Sequence, residues 1–549
     1  MPQGEQLIRI PLPKFQDIPG ILKRFAANNY KPFLLSLLSA AIIVLSFPTA
    51  NLHFLIWVFL IPILYMLYEK GPSRSLAYGL LAGFLANIGI LYWIFNSVLA
   101  HSNSFIGAVV ALCALSMYIA LYTIGIWAFT LGVVGTSLPS FFLPIFASSL
   151  WVTMEYLRTH AFTGFPWALL GYSQWNILPL IQISEYTGVY GVSFLIVYFN
   201  VSLFQFLKSR RWVPLVTSLV LIGAAVATGN TLLKRNSVNA APVLKTAVLQ
   251  GNIDQYKKWD IVYEKEILDK FTALALTAAK QKPDLIVWPE TAVPGYLPED
   301  EHLSVWIRTL ARETSTYHLI GAPYHDPKES DRFFNATFLI DPNGDVIGYH
   351  KKIHLVAFGE FMPFRNFFSI FGFDLLNTLG DFTPGHKPTV LTVKSVKIGP
   401  SICSENFYGS IMRGFPEKGA EILFNQTNDA WFFATSAPHQ HFTMNVFRCI
   451  ETRRQMLICG NTGISGIIEP TGKIGQTIPL FTTNYALYNL SPNSKITFYT
   501  RYGDVFSGLC SLITIVTLGI WFSVYIREKR YVKILNRLQK IQQKIKDLK

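Results

Sequence analysis

Three short runs of the sequence each bring a reactive side chain next to an apolar stretch. Glu290 follows the strand-like run 284–288, and Cys403 follows the strand-like run 396–402. Lys352 lies between them in the chain, among His and Glu residues in an apolar frame. A carboxylate can serve as a general base, a thiolate as a nucleophile and an ammonium group as a stabiliser of an oxyanion. Together the three residues favour nucleophilic catalysis.

The surroundings of Glu290 and Cys403 also predict how readily each ionises. A carboxylate at a strand end beside apolar walls has a raised pKa, which suits a general base. Cys403 precedes a predicted helix at Asn406–Gly414, whose N-terminus would lower the pKa of the thiol and donate N–H groups to an oxyanion. Taken singly, each residue also has a structural interpretation: a surface carboxylate, a solvated lysine on an edge strand, or a small buried thiol.

The composition indicates a membrane protein. Of the 549 residues, 51% are hydrophobic and only 15% are charged, with a mean hydropathy of +0.33, which excludes intrinsic disorder and disfavours a purely soluble enzyme. The net charge is +14, but the basic residues cluster beside apolar runs, as in membrane proteins rather than nucleic-acid-binding proteins. Five scattered cysteines without a CxxC pair indicate neither a disulfide scaffold nor a zinc site.

Apolar runs long enough to cross a bilayer divide the chain into segments. They predict a helical membrane bundle of seven spans within 33–229, then a polar stretch at 230–504 and an eighth span at 505–526. The eight runs are 33–49, 52–69, 78–99, 106–134, 139–156, 188–207, 213–229 and 505–526. In the polar stretch, short β-rich runs alternate with helical ones, which predicts an α/β domain.

The distribution of Lys and Arg predicts the orientation. The N-terminal segment 1–32, the loops after the second and sixth spans, and the tail 527–549 are basic, so they are expected in the cytoplasm. The domain at 230–504 then faces the opposite side, which is the periplasm of a Gram-negative cell. We therefore expect a multi-pass protein of the bacterial inner membrane. The basic tail is expected to form a helix near anionic headgroups.

Glu290, Lys352 and Cys403, in this order, resemble the Glu-Lys-Cys triad of the nitrilase superfamily. Lys352-Ile-His-Leu is similar to its lysine motif, and Lys351 is the alternative because one extra residue follows Tyr349. The resemblance implies an α-β-β-α sandwich. It also implies that Glu290 is the base, Cys403 the nucleophile, and Lys352 with the backbone N–H of Ser404 the oxyanion site.

Other residues are candidates for supporting roles. Glu360 is expected to hold Lys352 charged and oriented, and Glu405 to position that lysine or an incoming amine. Trp259, Trp431 and Phe432 would either line an acyl-chain pocket or pack in an ordinary core. His439 and His441 have no acidic or cysteine cluster near them in the sequence, so no metal site is predicted.

The whole chain resembles the apolipoprotein N-acyltransferase family, the membrane-embedded branch of the nitrilase superfamily. The resemblance covers about 33–526 and rests on the arrangement of spans and on short motifs, namely Gly-Phe-Pro-Trp at 164–167, Gly-Tyr-Ser-Gln at 171–174, Gln-Gly-Asn-Ile at 250–253, Lys-Trp-Asp at 258–260, Asn-Asp-Ala-Trp-Phe at 428–432 and Pro-His-Gln-His at 438–441. Two positions depart from the family pattern: Ala357 stands in place of a usual Pro, and Ser404 in place of a frequent aromatic residue.

This resemblance implies a two-step acyl transfer that needs no cofactor. A phospholipid, typically phosphatidylethanolamine, would donate an acyl chain to Cys403 as a thioester. The N-terminal amine of a diacylglyceryl-cysteine apolipoprotein would then accept it. The chain is expected to act as a monomer without nucleic acid, with loops at 158–188, 358–376 and 431–438 controlling lateral access from the membrane.

Three other interpretations remain open at this point. A membrane-tethered amidase of the nitrilase type, acting on a small amide, would share the triad but need no lipid. A transporter or receptor would usually carry ionisable residues within its spans, and the predicted spans have almost none. A family member that has lost activity through Ala357 and Ser404 is the third.

Overall fold

The computed structural model describes residues 18–68, 70–237, 241–326, 332–363, 365 and 381–547. The N-terminal residues 1–17 and most of the predicted access loop at 358–376 lie outside this part of the chain, as do the last two residues of the basic tail.

The apolar first part of the chain is helical. Its helices are α1 (Ile18–Ser46), α2 (Leu60–Leu67), α3 (Pro72–Ile90), α4 (Trp93–Ser102), α5 (Phe105–Ala120), α6 (Ile126–Val134), α7 (Leu143–His160), α8 (Leu178–Ile181), α9 (Ser184–Thr187), α10 (Val189–Ser209) and α11 (Trp212–Arg235). A π-helical turn at Leu121–Gly125 joins α5 to α6. After the α/β domain, a helix of 43 residues at Val505–Asp547 returns to this region.

Four helices in the described part of the chain are long and apolar enough to cross a membrane: Phe105–Val134, Val189–Ser209, Trp212–Arg235 and Val505–Asp547. The pair α3 and α4, bent by 63°, makes a possible fifth. The remaining predicted spans also fall on helices, but Tyr30–Ser46 and His53–Leu67 are shorter. Helix α7 carries Glu155, Arg158 and His160, which lower its hydropathy.

The polar stretch folds into two six-stranded sheets. The first has the order β12-β1-β2-β3-β4-β5 and the second the order β11-β10-β9-β8-β7-β6. The strands are β1 (Leu244–Gln250), β2 (Leu285–Val287), β3 (Tyr317–His325), β4 (Phe333–Ile340), β5 (Val346–Lys351), β6 (Leu391–Val393), β7 (Val396–Ile402), β8 (Ile422–Thr427), β9 (Met456–Gly460), β10 (Ser465–Ile468), β11 (Ile474–Ile478) and β12 (Asn484–Leu490). In each sheet the three central strands, β1-β2-β3 and β7-β8-β9, run parallel.

Helices cover the outer face of each sheet. The two sheets bury Val248, Val287 and Leu319 of one against Ile398 and Phe424 of the other. Helices α12 (Glu264–Ala279) and α13 (Glu301–Thr314) cover the first sheet. Helices α14 (Gly409–Glu417) and α15 (Ala437–Thr452) cover the second. The result is the four-layered α-β-β-α arrangement, and it explains why central strands such as β8 are buried along their whole length.

The outer helical layer over the second sheet is shared with the bundle formed by the apolar helices of the first part of the chain. Apolar residues of α14 and α15, among them Met412 and Phe447, belong to one continuous buried cluster with residues of the bundle such as Trp151 and Val192. The Tyr172 ring, which precedes α10, packs edge-on against Phe447 with 5.1 Å between ring centroids. The α/β domain and the bundle therefore have one hydrophobic core in common.

Candidate active site

Glu290, Lys352 and Cys403 follow the ends of three strands. Glu290 lies just beyond β2, Lys352 directly follows β5, and Cys403 directly follows β7. Gly321 in β3 allows the close approach of the Glu290 segment, since a Cβ atom there would lie 2.6 Å from the Pro289 carbonyl oxygen. The two stacked sheets thus bring the ends of β2, β5 and β7, which are far apart in the sequence, to one edge of the sandwich.

A buried lysine joins two carboxylates at this edge. The Lys352 ammonium, 1% exposed, donates hydrogen bonds to Glu290 Oε1 at 3.1 Å and to Glu360 Oε1 at 2.9 Å. The Asn335 side-chain amide, from β4, donates to the same two oxygens, at 2.8 Å in each case. The backbone N–H groups of Asn428 and Val356 bind the remaining oxygens of Glu290 and Glu360. Both carboxylates are held from several sides.

These donors reverse the sequence-based expectation for the pKa of Glu290. Burial alone would raise it, but the charges of Lys352 and Lys258 and the hydrogen bond from Asn335 hold the pKa of Glu290 below its usual value. Burial would likewise lower the pKa of Lys352, yet the two carboxylates hold it well above the ordinary value. The prediction of a raised pKa for Glu290 was therefore wrong, because it took account of apolar walls and not of buried donors.

Cys403 has a strained backbone. Its φ of +47° lies in the left-handed region, which side chains other than glycine rarely adopt. The residue begins a short 3₁₀ turn at Cys403–Phe407, and the α-helix starts only at Gly409, not at the predicted Asn406. Strain at a strand-to-helix turn is typical of an exposed nucleophile.

The thiol of Cys403 is held in its protonated form. Burial raises the pKa of Cys403 well above its ordinary value, and the carboxylate of Glu290 raises it further, against the opposing charge of Lys352. The expected lowering by a helix N-terminus was wrong, because only a single 3₁₀ turn follows the cysteine and burial outweighs it. A protonated thiol needs a nearby base to react. Of the two carboxylates that raise the pKa of Cys403, Glu290 and Asp429, Glu290 has the larger effect.

The two residues that follow Cys403 have different surroundings. The Glu405 side chain is fully buried, and its oxygens accept hydrogen bonds from the backbone N–H groups of Ile353 and Ile402, both at 2.7 Å. It thereby joins the end of β7 to the residue after Lys352 through main-chain hydrogen bonds. The Ser404 hydroxyl is buried with no hydrogen-bond partner among the described residues.

Similarity to known proteins covers most of the chain. Residues 39–202 match the model described as the apolipoprotein N-acyltransferase N-terminal domain, and residues 245–494 match the carbon-nitrogen hydrolase model. A protein of Geobacter metallireducens named apolipoprotein N-acyltransferase is 38% identical over 515 residues, which cover 91% of this chain and 95% of that protein. The chain belongs to the apolipoprotein N-acyltransferase family.

Further similarity extends beyond this relative. A Methylococcus capsulatus protein of the same name is 34% identical over 469 residues, covering 83% of this chain and 88% of that protein. Among solved structures, an amidase from Nesterenkonia sp. is 17% identical, with a TM-score of 0.36, and covers 46% of this chain and 92% of that chain.

The aromatic residues singled out in this family member occupy two kinds of surroundings. Trp259 and Trp431 are 48% and 38% exposed, so neither packs in a core. The Phe432 ring, in contrast, packs edge-on against Trp93 of α4 and Trp167, with centroids 4.8 Å and 5.8 Å apart. Their role in binding an acyl chain stays a prediction.

A second buried lysine, which the sequence showed only as part of a motif, lies beside the triad. The Lys258 ammonium donates to the Glu290 carbonyl oxygen at 3.1 Å and to the Thr291 hydroxyl at 2.6 Å. Burial lowers the pKa of Lys258 to about 7, although the charges of Glu290 and Cys403 oppose this. The run Lys-Trp-Asp lies in a loop, and a sequence of this kind does not show that its lysine is buried. The position of Lys258 beside Glu290 therefore could not be predicted.

Residues of the bundle contact the loops that carry the triad. The ring of Trp167 packs on Phe407 of the turn that begins at Cys403, with centroids 5.1 Å apart. His354, two residues after Lys352, hydrogen-bonds the Thr163 carbonyl oxygen at 2.9 Å. On the other side, the carbonyl oxygen of Ala100 in α4 accepts a hydrogen bond from the Tyr256 hydroxyl at 2.8 Å. The candidate site therefore lies where the sandwich meets the helical part of the chain.

Proposed function

We propose that this protein transfers an acyl chain from a phospholipid to the N-terminal amine of a diacylglyceryl-cysteine apolipoprotein, through a thioester on Cys403. The observation that carries the proposal is the buried network in which Lys352 and Asn335 join Glu290 to Glu360 beside the cysteine. The names of the relatives support the acceptor class. The phospholipid donor and the roles of the individual residues are part of the proposal.

The first step forms the thioester. Glu290 takes the proton of the Cys403 thiol while the sulfur attacks the ester carbonyl carbon of the phospholipid. Lys352 and the backbone N–H of Ser404 stabilise the oxyanion that develops, an interaction that strengthens as charge builds up. The C–O bond then breaks, Glu290 returns the proton to the leaving oxygen, and a lysophospholipid departs.

The directions of the pKa shifts determine how this step proceeds. The pKa of Cys403 is raised and that of Glu290 is lowered, so a thiolate paired with a protonated glutamate is not a stable resting state. Proton transfer therefore accompanies formation of the C–S bond instead of preceding it. Because its pKa is raised, the thiol stays mostly protonated, and therefore weakly nucleophilic, until a carbonyl carbon is in place.

In the second step the acceptor amine attacks the thioester. Glu290 receives a proton from the amine, an amide bond forms, the C–S bond breaks and the thiol of Cys403 regains its proton. The thioester keeps the acyl group activated between the two steps, so the chemistry needs neither ATP nor a metal.

The proposal places the chemistry at the surface of a bilayer. Residues 33–229 and 505–526 would cross the bacterial inner membrane eight times, with 230–504 in the periplasm and the basic ends in the cytoplasm. The exposed apolar side chains Tyr256, Ile261, Val262, Phe358 and Trp431, on loops of the sandwich, support contact with lipid. Moving an acyl chain out of lipid costs about 0.8 kcal/mol for each CH₂ group, so a site at the membrane avoids that cost.

Intact-protein mass spectrometry tests the proposal. The protein in detergent is mixed with phosphatidylethanolamine but no acceptor, beside the Cys403→Ala variant and the Cys113→Ala variant as a matched control. We expect an added acyl mass in the natural protein and in Cys113→Ala, removed by hydroxylamine and absent from Cys403→Ala. A folded protein that gains no mass, or gains it without Cys403, would overturn the thioester route; hydrolysis of a small amide by that protein would favour a membrane-tethered amidase instead.

A further inference from the structure

A chain of buried polar side chains, separate from the Lys352 and Asn335 contacts, leads away from the reacting sulfur. Thr427, the last residue of β8, places its hydroxyl oxygen 3.6 Å from Cys403 Sγ and 2.8 Å from Asp429 Oδ1. The same oxygen of Asp429 lies 2.8 Å from Nδ1 of His441 in α15. All three side chains are at least nine-tenths buried.

The hydroxyl of Thr427 has one proton and two neighbours that accept it. A carboxylate at 2.8 Å is a stronger acceptor than a neutral thiol at 3.6 Å, because hydrogen bonds to charged groups are shorter and stronger. While Cys403 is a thiol, the hydroxyl therefore donates to Asp429, and its lone pair faces the S–H group. Once the sulfur bears negative charge, the thiolate becomes a comparable acceptor, and a rotation about one bond turns the proton to it.

The rest of the chain keeps Asp429 in place when that proton leaves. Because a carboxylate can only accept, the hydrogen bond between Asp429 and Nδ1 of His441 requires the proton on Nδ1. The Nε2 atom of the same ring lies 3.2 Å from Asn406 Oδ1. Gly463 packs so closely against the Asp429 carboxylate that a Cβ atom there would collide with it. Asp429 thus keeps its hydrogen bond with His441 whether the Thr427 hydroxyl points to Asp429 or to the sulfur.

We propose that Thr427 is a two-position hydrogen-bond donor, directed at Asp429 while Cys403 is a thiol and at the sulfur while negative charge develops on it. Thr427 acts directly on the reacting atom, whereas Asp429 and His441 are positioning residues. The hydroxyl keeps its own proton throughout, and the thiol proton still goes to Glu290. The inference rests on the proposed role of Cys403 as the nucleophile and adds the donor that stabilises its charged form.

Alkylation of Cys403 by iodoacetamide, followed by peptide mass spectrometry over a range of pH, measures the thiolate without any acyl transfer. Charged groups that face this thiol from the packed elements are Glu290 after β2, Lys352 after β5 and Asp429 after β8, with Lys258 from the loop after β1. All of them remain in the key variant, Thr427→Val, which removes the hydroxyl and little else.

We expect Thr427→Val to slow alkylation of Cys403 about three- to tenfold at a fixed pH and to move the midpoint of the pH curve upward. Thr427→Ser keeps the hydroxyl and should behave as the natural protein. Thr443→Val is the matched control, since the buried Thr443 hydroxyl donates only to the Gln440 carbonyl oxygen. If Thr427→Val does not fold, Thr427→Ala takes its place. Unchanged alkylation in a folded variant would overturn the proposal.

A second variant separates the switch from the simple effect of charge. Asp429→Asn should speed alkylation, because a negative charge leaves and the hydroxyl is freed to face the sulfur. When Asp429→Asn is combined with Thr427→Val, only the effect of the lost charge remains. The increase in the rate of alkylation should therefore be smaller. An equal gain in both backgrounds would show that Asp429 acts without Thr427. Failure of the natural protein to take an acyl chain from phospholipid would overturn the proposed function and leave this alkylation result standing.

Discussion

Two carboxylates share one lysine and one amide at the candidate site, and this arrangement sets the chemistry of the individual residues. Lys352 and Asn335 each donate a hydrogen bond to Glu290 and another to Glu360. If either donor were missing, the repulsion between the two carboxylates would be less well compensated. Because Lys352 is ionised and buried, its removal would leave uncompensated charge. The orientation of Glu290, the proposed base, therefore depends on groups to which the proposed mechanism gives no proton.

Asn335→Leu tests this dependence. It keeps the approximate shape of the side chain and removes a donor to both carboxylates, so we expect thioester formation to fall about ten- to a hundredfold. The pKa of Glu290 should rise, because the hydrogen bond from Asn335 lowers it, and the acid limb of the rate against pH should move to higher pH. Asn343→Leu, in the exposed turn between β4 and β5, is the control. An unchanged acid limb in Asn335→Leu would contradict the expectation.

Glu290→Gln should move two properties of Cys403 in opposite directions. Acyl transfer should fall about 10²- to 10⁴-fold, because the variant lacks the proposed general base. Alkylation of the thiol should nevertheless reach its midpoint at lower pH, since the carboxylate of Glu290 raises the pKa of Cys403. Rates of phospholipid-dependent acylation and of iodoacetamide labelling, measured on the same preparation, check both. Parallel loss of both rates would indicate a general disturbance of the site instead.

At the scale of single residues, the sequence identifies groups that are conspicuous by type and position. Glu290, Lys352 and Glu360 are found in contact, although their catalytic roles stay predictions. Asn335 escaped notice because it lies within the apolar run of β4, where an amide looks like an ordinary strand residue. The direction of the pKa of Glu290 could not be predicted either, because it depends on donors from four separate segments.

At the scale of elements, what matters is how closely the strand ends approach each other. In β3, Gly321 leaves room for the Glu290 segment, and a Cβ atom there would lie 2.6 Å from the Pro289 carbonyl oxygen and 2.7 Å from the Thr291 nitrogen. The alternation of strands and helices predicts the layers of the domain. It gives no strand order, and so it does not reveal that β3 lies beside the loop after β2.

Gly321→Ala should displace Glu290 without touching it chemically. Because a misplacement of about 1 Å can cost about a hundredfold in rate, we expect thioester formation to fall by about that factor while the domain stays folded. Gly223→Ala, at a glycine with open space around the position of a Cβ atom, should have no effect. Acyl-adduct mass spectrometry and circular dichroism together check this. Normal acylation in Gly321→Ala would show that the close approach has no catalytic importance.

A buried histidine makes the stability of the first sheet depend on pH. His318 in β3 lies between the Trp288 indole, at 3.0 Å, and the Thr314 hydroxyl of α13, at 2.8 Å. Burial lowers the pKa of His318 to about 3, below its ordinary value of 6.5. Between these values the unfolded chain binds a proton that the folded chain does not. Stability is therefore retained above pH 6.5 and falls as the pH drops toward 3, by up to about 1.4 kcal/mol per pH unit.

His318→Gln should flatten that dependence. The neutral amide can hydrogen-bond both neighbours and takes up no proton, so the loss of stability between pH 6.5 and pH 5 should be smaller than in the natural protein. His302→Gln is a suitable control, since His302 is exposed. Thermal unfolding in detergent at several pH values measures the difference. Equal slopes for His318→Gln and the natural protein would contradict a neutral buried imidazole.

At the scale of the whole molecule, buried hydrogen bonds and ion pairs connect the sandwich to the helical bundle. The Arg453 guanidinium, after α15, bonds the Glu185 carboxylate of α9 through two nitrogens, at 3.1 Å and 2.8 Å, and Gln182 at 2.7 Å. The sequence predicts a helical region and an α/β domain, but it cannot show that one core serves both. Hydropathy also gives a poor count of the membrane crossings. Helix α7, for example, carries the buried charged residues Glu155 and Arg158, which lower its hydropathy.

Arg453→Met should destabilise the whole molecule, because it leaves the Glu185 carboxylate buried with fewer partners. The expected loss is about 3 to 5 kcal/mol, and Arg453→Met combined with Glu185→Met should recover part of it. Lys495→Met removes a partly exposed partner of the same carboxylate and should cost less. Unfolding in detergent, followed by tryptophan fluorescence, measures all three. A loss no greater than that of Lys495→Met would contradict the role of Arg453 as the main fastening.

The shared helical layer also bears on biosynthesis. A ribosome completes α1 to α11 before it reaches the sandwich, so the apolar face that receives α14 and α15 exists first. Until α14 and α15 dock on it, their outer faces lack cover, and the turn that carries Cys403 lacks the packing of Trp167 on Phe407. An error in assembling the helical bundle is therefore expected to disturb the turn that carries Cys403 as well as the bundle itself.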